Sequence, residues 1–293
     1  MSSTNGIIAV RIERVDMAIN IKEKPDIPDL TKFACSLADM AAEITLAYFR
    51  QPLGIENNLS DGDFDPVTVA DREAESVMLA AIKQHYPTHG IYGEEHGAQD
   101  GSSHLTWVLD PIDGTRAFIS GLPVWGTLIA LFDGSEPLLG VMDQPFTRER
   151  FVSGINCTYY RHNGVETQLS TSDCCHLADA IMMSTAPDMF DPSEFTVQQT
   201  LAKQVKLMRY GGDCYAYSML AAGHIDLVVE ADLSPYDIQA LIPIVKNAGG
   251  VITDWRGDTA SNGGQVIAAA NAALHAVALS VLQPAARKSE TIL

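Results

Sequence analysis

The sequence predicts an α/β chain whose two halves are built differently: an α+β first half and an α/β second half. Three observations carry this. Two early segments repeat apolar residues at helical spacing. Short apolar strands parted by turn residues follow them, as an antiparallel meander. Beyond about residue 150, strands and helices alternate.

Residues 1–28 read as an N-terminal arm or short strand. They lack the apolar core and small-residue cleavage site of a signal peptide, and their acids argue against a transit peptide. Asp29 is placed to cap a first helix, with Leu30, Phe33, Leu37, Met40, Ile44 and Ala47 along its apolar face. A second helix runs from near Val69 to Tyr86, where Pro87 stops it. Strands are expected at Gly90–Gly93 and Leu105–Leu109. "WGTLIALFDGSEPLLGVMDQP" reads as a hairpin turning at Asp133–Gly134–Ser135. The second half offers helices at Ser193–Val205, Cys214–Ala222 and Pro235–Ala248, and a last one ending near Leu282. Its strands fall at Asp226–Ala231, Val251–Trp255 and Val266–Ala270. No repeat or long linker interrupts the chain, so residues 29–150 and 151–293 are expected to pack as one compact unit.

The 19 basic and 37 acidic residues leave a formal charge of −18, a surface that repels nucleic acid and acidic membranes. No apolar run reaches the roughly 18 residues of a membrane span. The five cysteines, Cys35, Cys157, Cys174, Cys175 and Cys214, form no C-x-x-C. That favours reduced thiols and a cytoplasmic protein.

Four segments end apolar runs in carboxylates: "DPVTVAD" (65–71), "GEEHG" (93–97), "DPIDGT" (110–115) and "SPYDIQA" (234–240). One such segment is as often a turn as a site. Two carboxylates ~4 Å apart repel by ~4 kcal/mol at an effective dielectric near 20, so several converging would consume much of a domain's ~5–15 kcal/mol. Either they stand apart or cations hold them. Hard oxygen donors without a His or Cys pattern select Mg²⁺, Mn²⁺ or Ca²⁺. Such cations also reverse the local sign for an anionic substrate. Gly114 allows close backbone approach to that anion.

These strings, with "NAGG" at 247–250, resemble the inositol monophosphatase family over roughly residues 30 to 283. The resemblance implies a layered αβαβα sandwich, a homodimer, and Mg²⁺-dependent hydrolysis of a phosphate ester, with two or three ions per site and Mn²⁺ as a substitute. It implies Glu94, Asp110, Asp113, Asp237 and the Ile112 carbonyl as metal ligands. Gly114 and Thr115 amides hold the phosphate. Thr115 with Asp71 orients and deprotonates the attacking water, and Glu94 assists. The family's usual "WD" is "YD" here, at Tyr236–Asp237, which keeps an aromatic support.

Within the family, "DGTRAFISGLPVWGTLIAL" resembles the histidinol-phosphate phosphatases of histidine biosynthesis. A substrate bearing an ammonium and an imidazole calls for carboxylates at the leaving-group end, and Asp213 and Glu230 are the candidates. Asp213 also reads as a helix cap, and Glu230 as an exposed strand end. Arg116 is either a phosphate-side cation or half of an ion pair. Asp65 and Glu95 stay outside the metal set. His85 and His89 lack a third ligand. Inositol monophosphate, a nucleotide 3′-phosphate, or a catalytically silent binding protein are the alternatives.

Overall fold

The structure is a computed structural model and describes residues 25–51, 55–57 and 66–287. The expected arm up to residue 24, and Asp65, lie outside the described residues. The helices α1 (Ile27–Tyr48) and α2 (Val69–His85) are joined through a two-stranded ribbon, β1 (Ile55–Asn57) with β2 (Pro66–Thr68). Next come β3 (Gly90–Gly93), β4 (Gly97–Gln99), β5 (Thr106–Asp113) and the short helix α3 (Thr115–Ile119). The meander follows as β6 (Gly126–Phe132), β7 (Pro137–Gln144), β8 (Glu149–Ser153), β9 (Thr158–His162) and β10 (Val165–Gln168). β3 to β10 form an eight-stranded sheet in the order β10-β9-β8-β7-β6-β5-β3-β4, antiparallel except where β3 meets β5.

The second sheet takes β11 (Ile181–Ser184), β12 (Leu207–Tyr210), β13 (Leu227–Leu233), β14 (Val251–Asp254) and β15 (Gly264–Ala269), in the order β12-β11-β13-β15-β14. Its helices are α4 (Pro192–Ala202), α5 (Asp213–Ala221), α6 (Pro235–Ile238), α7 (Leu241–Asn247) and α8 (Ala272–Leu282).

Strand alternation sorts these elements into the expected αβαβα layers. In β5, Trp107 and Leu109 face α1 and α2, while Val108 faces the middle layer. There α5 and α7 contribute Tyr217, Leu220, Leu241 and Val245 to a core shared by both sheets. In β13, Leu227, Val229 and Ala231 face the outer core with α8, so Val228 and Glu230 face inward. Burying each large apolar side chain contributes about 1.5–3 kcal/mol. Among the described residues no helix is long and apolar enough to cross a membrane.

Four details differ from the sequence reading. Asp26, not Asp29, caps α1, accepting the Asp29 N–H at 3.3 Å. Ile27 and Pro28 thus belong to the helix rather than to an arm. Its buried stripe is Leu30, Ala34, Leu37, Ala38, Ala41 and Thr45, while Met40 and Ala47 are exposed. The expected Leu30 and Leu37 lie in this stripe and Phe33 and Ile44 pack beside it, so apolar bulk located the face but missed the small residues that let the helix lie close on the sheet. The change of rhythm near residue 150 falls inside β8, and the first sheet runs on to Gln168 because the meander continues with polar edge strands. Residues 235–248 form two helices, not one. Pro243 cannot donate to Gln239 and crowds that carbonyl, so the helix breaks between α6 and α7.

Candidate active site and metal centre

In a regular strand, residues i and i+3 face opposite sides. Asp110 and Asp113 escape this through a bulge. Asp110 pairs with Leu128 and Asp113 with Gly126, so β5 carries one residue more than β6 across the same span. The extra residue brings both carboxylates to one side. Pro111 sits in the bulge, where its missing N–H costs no ladder bond, and its carbonyl accepts the buried Thr127 hydroxyl at 2.7 Å.

The chain then turns at Gly114, whose φ of +85° an L side chain resists, and enters α3. Ile112 N–H donates to Asp110 at 3.0 Å, and the Thr115 hydroxyl donates to the Ile112 carbonyl at 3.1 Å. Asp113 accepts the Cys214 N–H at 2.6 Å, which ties the loop to the start of α5. Asp237 comes from the other sheet's side. It sits in the first turn of α6, accepts the Ser234 N–H at 2.7 Å, and is backed by the Tyr236–Tyr92 ring pair.

Carboxylate oxygens of Asp110, Asp113 and Asp237 lie within 4.8 Å of one another. Glu94, just after β3, lines the same cleft beside this trio. Burial, then the charges of Asp237 and Asp71, push its carboxyl up to about 9. Burial and neighbouring carboxylates likewise hold Asp110 and Asp113 well above the usual range. A set of hard oxygen donors, one buried and the rest half-buried, that destabilise one another suits a divalent cation, so the donors present fit the metal the family uses. Asp71 is buried in the first turn of α2, and its charge acts on Glu94 and Asp110.

The trio floors a cleft of about 940 Å³, lined also by Gly114, Thr115, Arg116, Asp213 and Glu230. Glu230 is not an exposed strand end. It is 2% exposed, accepts hydroxyl bonds from Thr185 at 2.6 Å and Tyr217 at 2.9 Å, and its carboxyl is pushed up to about 7 by burial. Asp213 opens α5 at a φ of +44°, and burial pushes it up to about 6. Its carboxylate packs on Gly114, where a Cβ would meet it at 3.0 Å. Arg116 pairs with Asp188 at 3.0 Å on the exposed rim.

His85 and His89 make structural bonds, His85 with the Ala81 carbonyl and His89 with the Trp107 indole N–H. Glu95 pairs with Arg72 at 3.3 Å. Thr185, Tyr217 and Asp188 escaped the sequence reading. The one available signal was Tyr217 lying four residues after Asp213, on the same face of α5.

The profile of the inositol monophosphatase family matches residues 26–287. The chain is 40% identical to the bifunctional phosphatase IMPL2, chloroplastic, of Arabidopsis thaliana, over 87% of this chain and 76% of that one. It is 34% identical to a histidinol-phosphatase of Chlorobaculum parvum, over 84% and 93%. An inositol monophosphatase structure from Zymomonas mobilis superimposes with a TM-score of 0.78 at 40% identity, covering 89% of this chain and all of that one. With its acidic trio at the mouth of two stacked sheets, the chain belongs to the inositol monophosphatase family and is a metal-dependent phosphomonoesterase.

Proposed function

We propose that this phosphatase hydrolyses L-histidinol phosphate to L-histidinol and phosphate, in L-histidine biosynthesis. The observation that carries the reading is two further carboxylates in the cleft, Asp213 and Glu230, outside the clustered metal trio. An ammonium or imidazolium beside them would restore their ionised forms and satisfy buried charge. The similarity to a histidinol-phosphatase over most of both chains supports it. Arg116, held on the rim by Asp188, adds a positive edge for the phosphate.

In this reading Glu94, Asp110, Asp113, Asp237 and the Ile112 carbonyl hold two or three Mg²⁺ ions, with Mn²⁺ as a substitute. When bound, these lower the pKa of a coordinated water and neutralise phosphoryl charge. The protein's own groups do the rest. Gly114 and Thr115 present first-turn amides to the phosphate. The Thr115 hydroxyl donates its hydrogen bond to the Ile112 carbonyl, so its lone pairs are turned to accept from the attacking water. Asp71 takes up that water's proton. The five cysteines are free of disulfides, which suits the cytoplasm. The working unit in this reading is a homodimer.

A second reading, inositol monophosphate as substrate, draws support from the Zymomonas mobilis likeness and from the hydroxyls around Glu230. A panel of phosphate esters at fixed Mg²⁺ separates the two. We expect histidinol phosphate to have the highest kcat/KM, and equal or faster turnover of inositol 1-phosphate overturns the first reading. Asp213→Asn sharpens the test, because Asn tolerates a positive φ and removes only the charge. It should lower kcat/KM for histidinol phosphate about 10- to 100-fold, the worth of a hydrogen bond to a charged group. A neutral ester should change little.

A further inference from the structure

We infer that Glu75 is a positioning residue for Glu94 and sets how tightly the cation site binds. Glu75 lies four residues after Asp71, so both project from the same buried face of α2. Its side chain is fully buried. One oxygen accepts the Glu95 N–H at 2.8 Å. The other accepts the His96 N–H at 3.0 Å and faces His96 Nδ1 at 3.1 Å. These are the groups of the turn between β3 and β4, the turn that carries Glu94.

The fit is close from the other side as well. A Cβ on Gly93 would stand 2.0 Å from the Glu75 carboxylate, so a glycine must precede Glu94 for this acid to enter. Glu75 does not line the cleft. It therefore orders the Glu94 turn without competing for the cation. Backbone amides bonded to a buried carboxylate form stronger bonds than neutral pairs. A ligand turn ordered in advance spares the cation the cost of ordering it. The turn's other side-chain ties, Arg72 to Glu95 and the Ser76 hydroxyl to His96 Nε2, are partly exposed and contribute little.

The inference rests on Glu94 being a metal carboxylate, and the experiment keeps the two apart. Chelator-stripped protein is titrated with Mg²⁺ by calorimetry and by activity. Glu75→Gln keeps the volume but presents an amide N–H₂ to a backbone N–H. We expect the half-saturating Mg²⁺ to rise about 10- to 100-fold, with most of kcat returning at saturating Mg²⁺. Glu94→Gln should weaken Mg²⁺ and not recover. Weakened binding in Glu94→Gln together with unchanged binding in folded Glu75→Gln overturns this inference alone. Unchanged binding in Glu94→Gln overturns the underlying assignment. Asp143→Asn controls for general loosening, because Asp143 is a buried carboxylate paired with Arg150 away from the cleft. It should lower Tm and leave the Mg²⁺ midpoint in place, and an equal shift there also rejects the inference. Should Glu75→Gln not fold, His96→Ala removes the Nδ1 contact to Glu75, together with an exposed contact from Nε2 to the Ser76 hydroxyl. It should raise the midpoint about two- to tenfold, the worth of one hydrogen bond, and no rise counts against the role of Glu75.

Discussion

Asp110 and Asp113 share a direction because one extra residue in β5 cancels the alternation of the strand. That single irregularity sets function against stability. Burial, then the charges of Asp213 and Asp237, hold the Asp113 carboxyl well above its usual range, so the ionised group destabilises the metal-free fold. Asp113→Asn keeps the acceptor for the Cys214 N–H and removes the charge. Without metal, this variant should therefore melt higher than the parent at neutral pH, by about 1–2 kcal/mol. Its turnover should fall about 10³-fold or more, matching several kcal/mol of lost charge stabilisation. Thermal melts with and without chelator, together with steady-state rates, check both signs. Retained Mg²⁺ activation would remove Asp113 from the metal set. At this scale the carboxylates facing the cleft were readable, because "DPIDGT", "GEE" and "YD" are contiguous strings. Glu75 was not. Its partners are backbone amides of a turn, and amides leave no mark in a sequence beyond the glycine that makes room.

Among the elements, hairpin turns and helix stops were legible, while helix faces, starts and internal breaks were read only in part. The β6–β7 hairpin follows from two apolar runs around Asp133–Gly134–Ser135, and Asp133 accepts the Ser135 and Glu136 N–H groups as the turn requires. Pro87 follows α2 after one intervening residue. The inner face of α1 was read only in part: Leu30, Phe33, Leu37 and Ile44 meet the core as expected, but a scan for bulky residues passes over the alanines that line it. Its start was misread by three residues, since Asp26 and Asp29 both have the side chain of a cap. The two are separable by mutation. Asp26→Ala removes the acceptor for the Asp29 N–H and should cost about 1 kcal/mol in denaturant unfolding. Asp29→Ala touches only an exposed pair with Lys32 and should shift the midpoint little. The reverse ranking would return the cap to Asp29. Pro243 was visible all along as a residue that cannot continue a helix. Its effect at Gln239 was missed because α7 resumes at once and the apolar run hides the break.

At the scale of the molecule, the acidic trio is assembled from both stacked sheets' surroundings: Asp110 and Asp113 from β5, Asp237 from the helix that follows β13. A cation held by this trio would therefore bridge the two halves, and protons would be its rivals. In the stripped protein, Glu94 is pushed up to about 9, Glu230 up to about 7 and Asp213 up to about 6, all by burial first. In each case the folded state holds its proton more tightly than the unfolded chain does. Their contribution to stability is thus fully present below the ordinary carboxylate range and is lost as pH rises through these raised values. Asp188 and Asp133 work the other way. Hydrogen bonds hold them below the usual value, so what they contribute disappears only in stronger acid. The chelated protein should accordingly be most stable near pH 5 and lose Tm steadily up to about pH 9. Mg²⁺ should reverse the slope, because it binds the ionised carboxylates and gains affinity as protons leave. The rise in Tm on adding saturating Mg²⁺ should therefore grow across the same interval. Scanning calorimetry at several pH values, with chelator and then with Mg²⁺, measures both curves. A chelated protein whose Tm stays level from pH 5 to 9 would mean that these carboxyls titrate as they do in water, and the cleft would then hold too little strain for a cation to relieve.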